Sequence, residues 1–201
     1  MIKYIMSLQD KEKWDAKYLK KTQLLKPREA SKNLQECIFH CKGSKALDLA
    51  CGAGRNSIFL AECGFDVDAL DIAEVAINAL NTQADEKNLL SKINTHLVDL
   101  DTYEIKKDIY NIIIMTNFLD RALIESAKTS LKKDGILFIE TYMINDENEK
   151  NESNQKNLLK SQELKDLLND SWQTLYYNEF QNEEYEIYKM KKQVIVTRKL
   201  Y

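Results

Sequence analysis

The chain has 201 residues, 44% apolar and 30% charged, with 29 basic against 32 acidic side chains and a formal net charge of −3. That length suits one large domain with a sizeable core, and the charge balance argues against a nucleic-acid-binding protein, which carries a basic excess. No apolar run approaches the roughly 20 residues that span a bilayer, and Met1–Asp10 holds too short an apolar stretch for a secretory signal. Without such a signal, no disulfide framework is expected among Cys37, Cys41, Cys51 and Cys63, and Cys37 and Cys41 are expected as buried or half-buried thiols in a reducing cytoplasm. Cys37, His40 and Cys41 lack the second ligand pair that a zinc site needs.

In chain order, residues 10–21 read as a helix with Trp14 and Tyr18 four apart on one face. Pro27 suits the start of a second helix over 28–41, stopped by Gly43. Residues 45–50 read as a strand, Cys51-Gly52-Ala53-Gly54 as a tight turn, and 55–63 as a helix stopped by Gly64. A strand over 65–70 ends in Asp71. A helix over 73–88 carries Val75, Ile77, Leu80 and Ala84 on one stripe. Strands over 93–98 and 110–115 follow, the latter rich in isoleucine as a strand buried on both faces should be. A helix over 119–131 leads through Gly135 into a strand over 136–141. This alternation predicts an α/β fold with a doubly wound, mostly parallel sheet and helices on both faces. Residues 145–157 contain no apolar residue, so 143–157 is expected to be a mobile loop. Residues 158–168 resume a helical pattern, and 172–180 with 185–198 read as an antiparallel hairpin at the sheet edge.

In an open parallel sheet, ligands bind beyond the carboxyl ends of the strands. Gly52 and Gly54 allow close backbone approach there, and the helix that follows points its amide groups at the same place. Asp71, at the end of the second strand, can accept hydrogen bonds from ribose hydroxyls; it also suits the N-cap of the next helix. Asp99, at the end of the third strand, can accept from an adenine amino group, or serve as a loop residue. A pyrophosphate ligand calls for a third glycine, and that position is Ser57. Asp48, inside the first strand, favours a ligand whose tail carries an ammonium group. S-adenosylmethionine meets these demands, with its adenosine, sulfonium and amino-acid tail.

The stretch Asp48-Leu49-Ala50-Cys51-Gly52-Ala53-Gly54 resembles the first motif of the class I S-adenosylmethionine-dependent methyltransferases. The Gly-Ala-Gly-Arg-Asn run and the later Gly-Phe-Asp-Val-Asp-Ala-Leu-Asp phrase resemble the tellurite-resistance and thiopurine branch, over residues 44–142. The resemblance implies a single Rossmann-like sheet of about seven strands, with an antiparallel C-terminal hairpin. It implies an N-terminal helical cover over residues 1–43 and the methyltransferase domain over 44–201. Carried onto this chain, Trp14 and Tyr18 would cover the cofactor, and Ala50, Cys51 and Gly52 would line its methionine part. Asp48 would hold the amino group, Asp71 the ribose, Ile72 the adenine face, Asp99 and Leu100 the adenine edge. Asn117 and Phe118 would lie near the sulfonium. Ala50 departs from the family's first glycine and, as an alanine, is expected at negative φ.

Methyl transfer from a sulfonium is an in-line displacement that needs positioning and exclusion of water. A general base is required only for a protonated, weak nucleophile. No Asn/Asp-Pro-Pro-Tyr motif follows the fourth strand, where the chain reads Thr116-Asn117-Phe118-Leu119-Asp120-Arg121. Acceptor contacts are sought in Arg55, Asp120, Arg121 and Tyr142; each also has an ordinary structural reading, Asp120 and Arg121 as an exposed ion pair. The first reading is transfer to a small-molecule acceptor by a monomer or homodimer, with no metal, nucleic-acid or membrane partner. A protein or RNA methyltransferase, a non-catalytic nucleotide-binding module and a nicotinamide-dependent oxidoreductase are the alternatives.

Overall fold

The computed structural model describes residues 2–150, 155–182 and 188–201, with side chains from residue 8 onward. Among the described residues, seven strands form one sheet in the order β3-β2-β1-β4-β5-β7-β6. The α/β class and the mixed sheet therefore follow the sequence expectation. The chain divides into two compact units, 1–36 with 43–105 and 37–42 with 106–201.

The first unit holds α1 (Ile2–Lys20), α2 (Lys32–Cys37), β1 (Lys45–Leu49), α3 (Arg55–Glu62), β2 (Asp66–Asp71), α4 (Glu74–Glu86) and β3 (Ile93–Leu97). β1 pairs with β2 and β2 with β3, all parallel. β1 and β2 are buried almost continuously, whereas in β3, at the sheet edge, only Ile93 is buried. α1 begins well before the expected residue 10. The helix expected over 28–41 shrinks to α2 and a short 3₁₀ turn, Ile38–His40. The reason lies at Ser31, whose hydroxyl accepts from Leu34 N at 3.3 Å as an N-cap. Its own amide donates to Asn56 Oδ1 at 3.0 Å, so the chain before it stays out of the helix.

The second unit holds β4 (Tyr110–Thr116), α5 (Arg121–Ser130), β5 (Leu131–Tyr142), α6 (Glu163–Asp166), β6 (Trp172–Gln181) and β7 (Lys191–Lys199). β4 and β5 are parallel, and β7 is antiparallel to both β5 and β6. β5 starts earlier than expected: the register jumps from Tyr110↔Leu131 to Ile112↔Ile136, so Gly135 lies in a bulge inside the strand. The helix expected over 158–168 is mostly absent. Leu159 instead bridges Met143, its amide donating to Tyr142 O at 3.0 Å. Glu179 accepts from Ser161 Oγ at 3.1 Å and Gln162 N at 2.8 Å, which satisfies polar groups the helix would have used. Of the strand expected over 185–198, residues 185–187 lie outside the described residues and Tyr188–Met190 precede β7. In the segment expected as a mobile loop, Asn148 Oδ1 accepts from Lys191 N at 2.7 Å and Glu149 N donates to Lys189 O at 2.9 Å. Residues 151–154 of it lie outside the described residues.

Candidate functional site

The turn between β1 and α3 is built on left-handed backbone. Ala50, Gly52 and Gly54 have φ of 58°, 56° and 79°. Ala50 thus corrects the expectation of negative φ: the turn imposes a conformation that an alanine adopts only at a cost of about 1–2 kcal/mol. Gly54 has no room for a side chain, because a Cβ there would lie within 2.8 Å of Leu80 Cγ on α4. A Cβ on Gly52 would lie 2.7 Å from the Tyr18 hydroxyl oxygen, so α1 and the loop approach each other closely at this glycine. Cys51 N donates to Leu70 O at 2.9 Å. Gln83 on α4 donates to Ala53 O at 3.3 Å and Leu25 O at 3.0 Å, tying the loop to the segment after α1.

Asp71 closes β2, and both its oxygens are engaged. Oδ2 accepts from Gly52 N at 2.7 Å and Oδ1 from Ala73 N at 2.8 Å. It therefore fastens the glycine loop to the entry of α4, while a carboxylate oxygen retains a second lone pair for a ligand. Burial raises its pKa, opposed by the hydrogen bonds from Ala73 and Gly52. Burial also raises the Tyr18 phenol, with the Asp71 charge adding to the effect.

Asp48 is 1% exposed. Oδ2 accepts from Ser57 Oγ at 2.6 Å, and Oδ1 has no hydrogen-bond partner. Burial pushes its pKa up to about 7; the Ser57 hydrogen bond and the Arg55 charge oppose this, and the Asp71 charge reinforces it. Cys51 is a half-buried thiol pushed upward by burial and by the Asp48 and Asp71 charges. All four cysteines are free; Cys37 is buried and Cys41 half-buried, as expected, Cys51 is half-buried and Cys63 is exposed.

A cavity of about 210 Å³ is lined by Leu8, Lys11, Ile72, Leu97, Val98 and Asp99. Asp99 Oδ1 accepts from Asp101 N at 3.0 Å, and Leu100 is half-buried beside it in sequence. Trp14 and Tyr18 lie on one side of α1 with ring centroids 6.4 Å apart, and Lys17 Nζ sits 3.8 Å from the Trp14 ring centroid. Asp15, which the sequence pattern does not mark, accepts from Val75 N at 3.0 Å and from Lys11 Nζ at 2.9 Å. It caps α4 from another helix, so α4 needs no capping side chain of its own.

Arg55 donates to Glu29 O at 3.3 Å. In the second unit, Asn117 follows β4 at φ 55°, is exposed, and donates from its backbone to Glu140 O at 2.8 Å. Phe118 is half-buried. Asp120 caps α5, accepting from Leu123 N at 2.9 Å. Arg121 does not take Asp120 as its ion-pair partner. It binds Glu163 Oε1 at 2.6 Å and the carbonyls of Lys156 and Leu158 at 2.7 and 3.2 Å. Tyr142 ends β5 with its ring centroid 4.9 Å from Lys192 Nζ. The sequence marks Ser57 only as a missing glycine; its burial against Asp48, nine positions earlier in the chain, has no local signal.

The mixed seven-stranded sheet is the architecture of solved S-adenosylmethionine-dependent methyltransferases. One from Methanosarcina mazei aligns with a TM-score of 0.68 at 18% identity, covering 86% of this chain and 99% of that one. Geranyl diphosphate C-methyltransferase from Streptomyces coelicolor, in complex with Mg²⁺, geranyl diphosphate and S-adenosyl-L-homocysteine, aligns at 0.66 and 11% identity, covering 85% and 80%. Residues 6–193 match the family described as Tellurite resistance protein TehB, and the chain belongs to that family. The crystal structure of TehB from Haemophilus influenzae aligns with a TM-score of 0.74 at 27% identity, covering 85% of this chain and 62% of that one. A probable S-adenosyl-L-methionine-dependent methyltransferase TehB from the same organism is 37% identical over 92 residues, 44% of this chain. The chain's match spans 31% of that relative's length.

Proposed function

We propose that this chain is an S-adenosylmethionine-dependent methyltransferase acting on a small-molecule acceptor. The observation that carries the reading is Asp48, a carboxylate 1% exposed with one oxygen lacking a partner, at the base of a glycine loop. A buried oxygen of that kind is costly unless a donor completes it, and the ammonium of an amino-acid tail is such a donor. The cofactor supplies, when bound, a methyl group on a sulfonium open to in-line displacement.

The chain's own residues hold the parts in place. Ala50, Cys51 and Gly52 present backbone to the methionine part. Asp71 receives the ribose hydroxyls on its remaining lone pairs. Ile72 and Asp99 border the cavity that takes the adenine, with the Leu100 backbone beside them. Residues 1–43 are assigned to a cover over the cofactor, with Tyr18, whose hydroxyl lies close to Gly52, and Trp14 beside it on α1 as its contacts. Arg55 favours the charged form of Asp48. The family description, tellurite resistance, favours a chalcogen oxyanion, whose lone pairs carry no proton and need no general base; a thiol acceptor would react as its thiolate, its proton lost to solvent before the transfer. The free thiols suit a reducing cytoplasm.

Calorimetric titration with S-adenosylmethionine, S-adenosylhomocysteine and NAD tests this. The first two bind and NAD does not, and Asp71→Ala weakens binding by about 1–3 kcal/mol. Tight NAD binding, or no binding of either adenosyl ligand, overturns the reading. Labelled methyl appearing in protein or tRNA, with none on thiols or chalcogen oxyanions, would transfer it to a macromolecular acceptor.

A further inference from the structure

Resting on that cofactor reading, we propose that Ser57 is the positioning residue for recognition of the cofactor's amino-acid tail: its hydroxyl holds Asp48 Oδ2, which reserves Oδ1 for the tail's ammonium group.

Ser57 lies in the first turn of α3 and is fully buried. A serine hydroxyl has one proton to donate, and here it goes to Asp48 Oδ2 at 2.6 Å. That is the length of a charge-assisted bond, about twice as strong as a neutral one. The bond fixes which oxygen is occupied, and Oδ1 is the one left without a partner. In dinucleotide-binding loops the third glycine allows close packing of helix on strand. Serine at this position keeps the packing small and adds a donor that glycine lacks.

The bond also acts on charge. Asp48 faces the Asp71 carboxylate on β2 and the Cys51 thiol in the loop, and the Arg55 guanidinium on α3. Of these only Arg55 favours ionisation, together with the Ser57 hydroxyl and amide. Without the hydroxyl, Asp48 holds its proton to higher pH and pairs less readily with an ammonium group. Ser57 thus determines both the orientation and the charge of the group that reads the tail.

The test compares two ligands that share an adenosine. S-adenosylhomocysteine has the amino-acid tail; methylthioadenosine does not. Ser57→Ala should weaken S-adenosylhomocysteine binding on the order of tenfold and leave methylthioadenosine within about twofold, which also shows that the variant is folded. Ser57→Thr, which keeps the hydroxyl, should restore most of the affinity. In Ser57→Ala the pH below which S-adenosylhomocysteine binding fails should move upward. Equal losses for both ligands, or no loss for either, overturn the assignment while leaving the cofactor reading intact. Wild type that binds neither ligand overturns the cofactor reading, and the role of Ser57 with it.

Discussion

Asp48 on β1 and Glu140 on β5 are both carboxylates in the interior of the sheet, and each is 1% exposed. Their surroundings differ. Glu140 has Lys192 Nζ at 3.5 Å, and Lys192 is itself fully buried, with its ammonium over the Tyr142 ring. The two charges are compensated inside the second unit. Asp48 has a hydroxyl on one oxygen and nothing on the other. A buried carboxylate matched by a cation of its own fold is a closed piece of architecture. One left with an open oxygen, beside a loop tied down by Asp71 and Gln83, is the group that we propose a ligand's ammonium completes.

The largest expected effect comes from breaking the closed pair. Lys192→Met leaves Glu140 buried without its cation and should cost about 3–5 kcal/mol of stability, read from urea unfolding. Glu140→Gln with Lys192→Met removes both charges and should recover most of that loss. If the double variant is as unstable as the single one, charge compensation is not what the pair contributes.

At Asp48 the effect should follow pH. Its folded pKa, raised to about 7, lies above the ordinary value of about 4. The folded chain therefore binds this proton more tightly than the unfolded chain. The contribution is full below the unfolded pKa and is lost as pH rises through the folded one, by a few kcal/mol (~2–4) at most. Ligand-free wild type should lose stability across that window relative to Asp48→Asn, followed by thermal melting. S-adenosylhomocysteine should offset the loss in wild type and stabilise the variant less. Identical slopes for the two proteins would remove Asp48 as the titrating group.

The smallest effect is expected at Ala50. Glycine relieves the left-handed strain but loosens the unfolded chain, so Ala50→Gly should change stability by less than about 1 kcal/mol. S-adenosylhomocysteine affinity should stay unchanged. A large loss of stability would mean that the Ala50 methyl packs in a way the backbone conformation does not reveal.

The alternation of strands and helices was legible because each core element has its own local period: the run Ile112–Ile114 for a doubly buried strand, the stripe through Ile77, Leu80 and Ala84 for α4. The ends were less legible. Pro27 and the leucines at 158–168 are good helix signals, yet Ser31, Glu179 and Gln193 satisfy the backbone around them by other means. In the site, Asp48 inside the first strand, Gly52 in the turn after it and Asp71 at the end of the second strand stand out. Asp120 and Arg121 stood out equally, and the fold uses them as a helix cap and a clasp on residues 156–163.

The sequence by itself determined the class of fold, the glycine turn and the carboxylates placed beside it, since periodicity and chain order fix which residues follow each strand. Only the tertiary structure decided which oxygens of those carboxylates are already taken. Asp71 is occupied by two backbone amides, and Asp48 is held by Ser57 on one side and open on the other. Hydrogen bonds between residues far apart in the chain obey geometry rather than spacing, and the geometry exists only once the helices have packed on the sheet.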